Sequence, residues 1–249
     1  MPPAPSIKVG DIFKNNQGCE GEVIEYINAH KVKIKFLDKV GCEKYFEVRD
    51  IKKGTFSNPY FPNTLGRGFM GEGEYSSKSD GKTSVEYNIW SAMMVRSYDP
   101  NYHEKFPTYI GCSASKYFLN YQNCAKWLNE QPNFGRKGFV LDKDLLVRGN
   151  KTYSPETCCI IPQEINSFLA VRPSSNPDLP VGVTISRYGK YLANFSKTPL
   201  GSFKTLDEAF RAYKEAKESR AKQLATTYKD QIDSRAYEAL MKYEVNIDD

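Results

Sequence analysis

Hydroxyl, amide, phenol and cationic side chains gather in one stretch near the C-terminus, and together they can hold a polyanion. Thr184, Ser186, Tyr188, Asn194 and Ser196 donate and accept hydrogen bonds, with Arg187, Lys190 and Lys197 as cations among them. From Val183 to Lys229 ten Lys and Arg residues face four Asp and Glu, whereas the whole 249-residue chain carries a net charge of only +5. A positive field concentrated in one segment is the footprint of a nucleic-acid contact, with cations for phosphates and polar groups for base edges. Upstream, Lys137, Lys143, Arg148 and Lys151 cluster around a turn and suit phosphates in the same way. Histidine chemistry is confined to His30 and His103. Cys19, Cys42, Cys112, Cys124, Cys158 and Cys159 lack paired metal spacing, and the vicinal pair would bridge only with strain, so they read as reduced thiols.

The C-terminal polar groups need a sheet with one free face. Val183 and Ile185 alternate with Thr184 and Ser186, Tyr188-Gly189-Lys190 turns the chain into Tyr191–Phe195, and Leu200–Phe203 supplies a third strand. The alternation predicts an apolar face of Val183, Ile185, Tyr191, Ala193, Phe195 and Phe203, and a polar face of Thr184, Ser186, Tyr188, Asn194 and Ser196. Thr205-Leu-Asp-Glu208 has capping-box spacing, and Leu206, Ala209, Phe210, Tyr213 and Ala216 then form the stripe of a helix that covers the apolar face.

Further upstream, Phe139 to Asn166 reads as a hairpin turning near Gly149-Asn150, followed by a short helix opened by Ser154 as N-cap and Pro155 at the first helical position. Two helices precede it: Glu86 to Tyr98, with Ile89, Trp90, Met93 and Met94 on one face and a stop at Asp99-Pro100, and Ser115 to Asn129. Gly54 to Gly81, rich in Gly, Pro and Asn, reads as an extended arm that Phe61, Phe69 and Tyr75 can pin down. The first fifty residues alternate in short bursts and predict a small β-barrel.

The layout expected is therefore α+β: a small N-terminal β-barrel (1–53), an arm (54–84), a central strand-strand-helix domain (85–171), a proline-rich linker (172–180) and a C-terminal three-stranded sheet plus helix with a helical tail (181–249). No apolar run is long enough to span a bilayer, and no basic-then-apolar leader opens the chain, so no membrane partner and a cytoplasmic location are expected.

Gly182-Val183, Gly189-Lys190-Tyr191-Leu192-Ala193, Leu200-Gly201-Ser202-Phe203 and Thr205-x-x-Glu208-Ala209-x-x-Ala212-Tyr213 resemble the Apetala-type (ethylene-response) DNA-binding domain. That resemblance implies double-stranded DNA as partner and Thr184, Ser186, Arg187, Tyr188, Lys190, Asn194, Ser196 and Lys197 as contacts, joined by Lys143, Arg148 and Lys151. Thr184 and Ser186 stand where that family carries arginines, which implies weaker or less selective binding.

The segment Phe139–Asn166 in turn resembles the ββα-metal unit of HNH nucleases, particularly the phage homing enzymes that append an Apetala-type domain. The resemblance puts Asp142 and Asp144 forward as metal ligands and catalytic candidates, Asn166 at the position of a terminal asparagine, and Lys143 where the family has its histidine base. HNH chemistry uses a divalent ion and a base that deprotonates water, and a protonated lysine repels the metal. Three readings stay open: a DNA-binding protein derived from such a bacteriophage nuclease without cleavage, an active endonuclease using Mg or Mn, and a decoy that binds a host protein. In each the host-cell cytoplasm is the expected place of action.

Overall fold

The computed structural model describes residues 6–170 and 176–247. The first residues of the linker at 172–180, and the N-terminal stretch read for a leader, lie outside them. The chain divides into two compact units, one of Met1–Ile110 with Ala114–Lys126, the other of Gly111–Ser113 with Trp127–Asp249. Among the described residues no helix is long and apolar enough to cross a membrane.

The first unit opens with an antiparallel sheet in the order β1 (Ile12–Lys14), β2 (Glu20–Asn28), β3 (Lys31–Phe36), β4 (Glu43–Phe46). The expected barrel does not close. β1 and β4 are separate edges, three and four residues long, and the open side is filled instead by Ile51 of α1 (Val48–Lys53) and by Phe56. Phe56 stacks on Phe36 at 5.8 Å and meets Phe46 edge-on, so side chains complete the core that strand pairing would otherwise enclose.

The segment after Gly54 is irregular apart from a minimal hairpin, β5 (Lys78–Ser79) with β6 (Lys82–Thr83). It is held at fixed points. Gln122 accepts the Tyr75 N–H and donates to the Tyr75 carbonyl. Phe69 takes over backbone bonds at Asn120, donating to Leu119 O while accepting from Tyr121 N. That insertion explains why the single helix expected over Ser115–Asn129 is two, α4 (Lys116–Leu119) and α5 (Tyr121–Asn129).

The helix expected from Glu86 is present as α2 (Val85–Tyr98), capped by Ser84 and followed at Asp99 by α3 (Pro100–Lys105). Trp90, Met93 and Met94 are fully buried, and the Trp90 indole donates to Phe118 O at 2.8 Å. α2 belongs to the first unit, so the boundary read at residue 85 does not coincide with the division of the chain. β7 (Ser113–Ala114) straddles the division, Ser113 belonging to the second unit and Ala114 to the first, which continues to Lys126.

In that unit β8 (Phe139–Asp142) pairs antiparallel with β10 (Cys159–Pro162), Asp142 opposite Cys159, and β9 (Thr152–Tyr153) lies in the loop between them. The turn expected at Gly149-Asn150 exists, but the strand that pairs with β8 comes later. Ser154 and Pro155 open a turn rather than a helix: the Ser154 hydroxyl and carbonyl accept from Thr157 N and Cys158 N, and the chain then extends. The next residues, Cys159-Ile-Ile, are wholly buried and partly β-branched, which suits a buried strand. The helix follows as α6 (Gln163–Leu169), after Pro162.

The C-terminal sheet runs β11 (Val183–Ile185), β12 (Tyr191–Phe195), β13 (Thr198–Phe203), all antiparallel. The 23-residue helix α7 (Leu206–Tyr228) begins with the full capping box, Thr205 Oγ1 accepting from Glu208 N and the Glu208 carboxylate from Thr205 N. Its first half covers Val183 and Ala193. Leu224 and Ala225 in its second half pack with Cys159, Ile161 and Ile165 and with Ile232, Ala236 and Leu240, the last two in α8 (Ser234–Met241). One helix thus enters two cores, and the segments read as separate 85–171 and 181–249 domains share a hydrophobic cluster.

Candidate nucleic-acid interface

Cross-strand register assigns each residue of the sheet to a face. Val183, Ala193 and Gly201 are opposite one another and turn toward α7, so their neighbours Thr184, Leu192 and Ser202 form the outer face. The polar face read from alternation is therefore interrupted by Leu192. Ile185, assigned to the apolar face, is 50% exposed at the end of β11.

Ser186 and Tyr188 lie not on the face but in the β11–β12 turn. Ser186 O accepts from Gly189 N, its N–H donates to Lys190 O, and its hydroxyl accepts from Lys190 N at 3.1 Å. Ser186 therefore builds the turn and leaves Arg187, Tyr188 and Lys190 at the tip. Tyr188 is 76% exposed, and the Arg187 guanidinium lies 4.7 Å from its ring centroid. At the other end of β12, Ser196 and Lys197 are the two central residues of the β12–β13 turn, exposed, with positive φ of 48° and 68°. Asn194 is half-buried beside a register shift. The predicted contacts thus form two groups: Arg187, Tyr188 and Lys190 at one tip, Asn194, Ser196 and Lys197 at the other.

A two-residue turn with both φ positive favours Asn-Gly, and an ordinary side chain there costs about 1 kcal/mol or more. Lys197→Gly is therefore expected to raise the midpoint of thermal unfolding. Scanning calorimetry of the variant beside the wild type checks the direction.

The upstream candidates divide differently. Asp142 is buried, and its Oδ1 accepts from Asp144 N and Leu145 N at 3.0 and 2.8 Å, so it anchors the loop that leaves β8. Burial pushes its carboxyl above the ordinary range, opposed by the bond from Leu145. Lys143 is buried too. Its ammonium donates to Asp144 Oδ1 and to Asn150 O, which makes it a loop strut and withdraws it from the phosphate contacts read for it. Arg148 and Lys151 are exposed, with Arg148 donating to Glu244 O. Asn166 sits half-buried in the middle of α6.

This donor set does not fit a divalent ion. One oxygen of Asp142 is occupied by two amides, and the Asp144 carboxylate is held by the ammonium at the base position. Among the described residues no three His, Cys, Asp or Glu side chains gather into a metal-holding group. His103 is tied by Nε2 to Arg96 O, and His30 lies 3.6 Å from Glu47.

Asp142→Asn keeps an oxygen for both amides and removes the buried charge. Because the folded carboxyl is raised, its contribution to stability is full below the unfolded carboxylate pKa and lost as pH rises through the folded value. The wild type is thus expected to gain stability on mild acidification relative to Asp142→Asn, and the variant to be at least as stable at neutral pH. Unfolding titrations at several pH values measure the difference.

One residue escaped the sequence reading. Lys217 is 4% exposed on α7, in line with Ala209, Tyr213, Ala221 and Ala225 at four-residue spacing. A lysine on an otherwise apolar stripe was the available signal.

Comparison of the chain with protein-family models, with curated proteins and with solved structures finds no match.

Proposed function

We propose that this chain binds double-stranded DNA through the three-stranded sheet of its second unit, and that the strand-strand-helix segment is a non-cleaving derivative of a phage HNH homing nuclease. The observation that carries the reading is the exposure of cations at both turns of a sheet whose other face is filled by α7. The five residues of β12 separate the two turns by roughly 15 Å. A major groove is about 12 Å wide, so a sheet laid in it brings Arg187 and Lys190 toward one phosphate wall and Lys197 toward the other.

Support for the derivation comes from the Apetala-type and HNH resemblances and from the order β8, β10, α6. The proposed lack of cleavage is supported by the donor set, in which a lysine stands at the base position and both aspartates are engaged within the loop.

The test is a titration of the full chain with labelled duplex DNA, with and without manganese. Binding without metal is expected, weakened at least tenfold when Tyr188, Asn194 and Lys197 are all changed to Ala. Full binding by that triple variant contradicts the proposed surface. Manganese-dependent nicking lost in Asp142→Ala contradicts the non-cleaving assignment.

A further inference from the structure

A cavity of about 680 Å³ opens within the second unit, between the end of the sheet, α6 and α7, with Lys217 in its wall. Its size lies in the range of small-molecule sites. The Lys217 side chain is 4% exposed and has no anionic partner among the described residues. Its Nζ lies 5.8 to 5.9 Å from the ring centroids of Phe168, Tyr213 and Tyr243, and among the described residues no hydrogen bond or ion pair joins it to a carboxylate, carbonyl or hydroxyl. Burial pulls its ammonium below the ordinary lysine range, and Arg148 adds repulsion of the same sign. Three ring faces offset part of the cost of burying the side chain, and the ammonium is not sealed off but keeps some accessible surface where it lines the cavity.

The other charged groups of the cavity add to the imbalance. Lys197 and Arg220 line it, and Glu164, the one acid among the described lining residues, is already engaged by Arg220 and by the Tyr228 hydroxyl. Neutral hydrogen-bonding groups, Ser167, Asn194 and Ser196, stand beside aromatic surface from Phe168 and Tyr213. An anion with several acceptor oxygens can use more than one cation together with the hydroxyls, while a flat ring fits the aromatic wall.

We propose that this cavity binds an organic phosphate carrying a flat ring, a nucleotide, with Lys217 as the counter-charge to its phosphate. The same chemistry comes from a free mononucleotide or from a nucleotide of a DNA strand lying on the sheet, since Asn194, Ser196 and Lys197 belong to both surfaces. The pocket itself does not depend on the duplex-binding reading, because it is built from Lys217 and its surroundings.

The test is calorimetric titration of the full chain with each of the four deoxynucleoside 5′-monophosphates, and with the corresponding nucleosides. Saturable binding of at least one monophosphate, and at least tenfold weaker binding of its nucleoside, is the expected result. Lys217→Met, which keeps the packing volume and removes the charge, is expected to abolish binding while leaving the unfolding temperature equal to or above that of the wild type. Lys197→Ala, at an exposed turn, is expected to weaken binding several-fold and serves if Lys217→Met does not fold. No saturable binding of any monophosphate at millimolar concentration overturns the proposal, as does unchanged affinity in a folded Lys217→Met or, where that variant does not fold, in Lys197→Ala. Competition by duplex DNA assigns the bound nucleotide to a DNA strand, and lack of competition assigns the pocket to the free nucleotide; either outcome upholds the site.

Discussion

Gly182→Ala is expected to destabilise the second unit by about 3 kcal/mol, the sum of a left-handed backbone cost and overpacking against a rigid ring. Gly182 has φ +85°, and an added Cβ would lie 2.1 Å from Tyr213 Cδ2 and 2.3 Å from Cε2. The Tyr213 ring cannot easily withdraw, since it also packs against Phe195 and beside the Lys217 ammonium. Adding Tyr213→Ala to Gly182→Ala removes the clash but not the backbone cost. The double variant is therefore expected to be less destabilised than the sum of the two single changes, which a denaturant-unfolding cycle measures.

Arg235→Ala is expected to cost about 2 kcal/mol, reduced from the full value of several charged hydrogen bonds because the guanidinium is partly exposed. Its Nη1 donates to Pro155 O and Glu156 O at 3.1 and 3.3 Å, and its Nη2 to Cys158 O and to Asp233 Oδ2 at 3.4 and 2.8 Å. One side chain thus fastens the turn that precedes β10 to the start of α8, where Asp233 also caps the helix through Arg235 N. Arg235 holds the Asp233 carboxyl below its ordinary range, so the stability of this pair is present at neutral pH and lost as pH falls through the lowered value. Cys158 and Cys159 are wholly buried, and burial pushes the Cys158 thiol up to about 12. Release of the turn is expected to speed their reaction with a disulfide reagent in Arg235→Ala, and Arg235→Lys, which keeps the charge but loses the fork, to fall between the two.

Local features of the second unit were legible where one segment determines them. The capping box at Thr205 and Glu208, the three strands and the covering helix all follow from spacing over a few residues. The pairing of Gly182 with Tyr213 has a clear physical reason, yet it appears only when strand and helix are packed, because the residues are thirty-one positions apart. What the sequence hid lies in turn closure, register and packing. Alternation could not reveal that Ser186 spends its hydroxyl on Lys190 N, or that Leu192 interrupts the outer face, since turn closure and register decide both.

The helix start misread at Pro155 shows the same limit. Ser-Pro satisfies a local rule for helix entry, but the buried run Cys159-Ile-Ile is drawn into pairing with β8, and the helix waits until Gln163. In the first unit Phe69 enters the backbone between α4 and α5, an interruption that no periodicity over Ser115–Asn129 encodes. Lys143 looked like a surface cation by composition, and only the fold gives it Asp144 and the Asn150 carbonyl as partners.

The proposed contact of the cations at the two turns of the sheet with DNA phosphates has a direct signature in salt dependence. The most direct measurement is the slope of log binding constant against log salt concentration for the full chain on duplex DNA, compared with the variant in which Arg187, Lys190 and Lys197 are all Ala. Each phosphate contact contributes roughly 0.9 to that slope, so the variant is expected to lose about two to three in slope and to bind more weakly at every salt concentration. A variant with the wild-type slope and affinity would contradict the proposed contact.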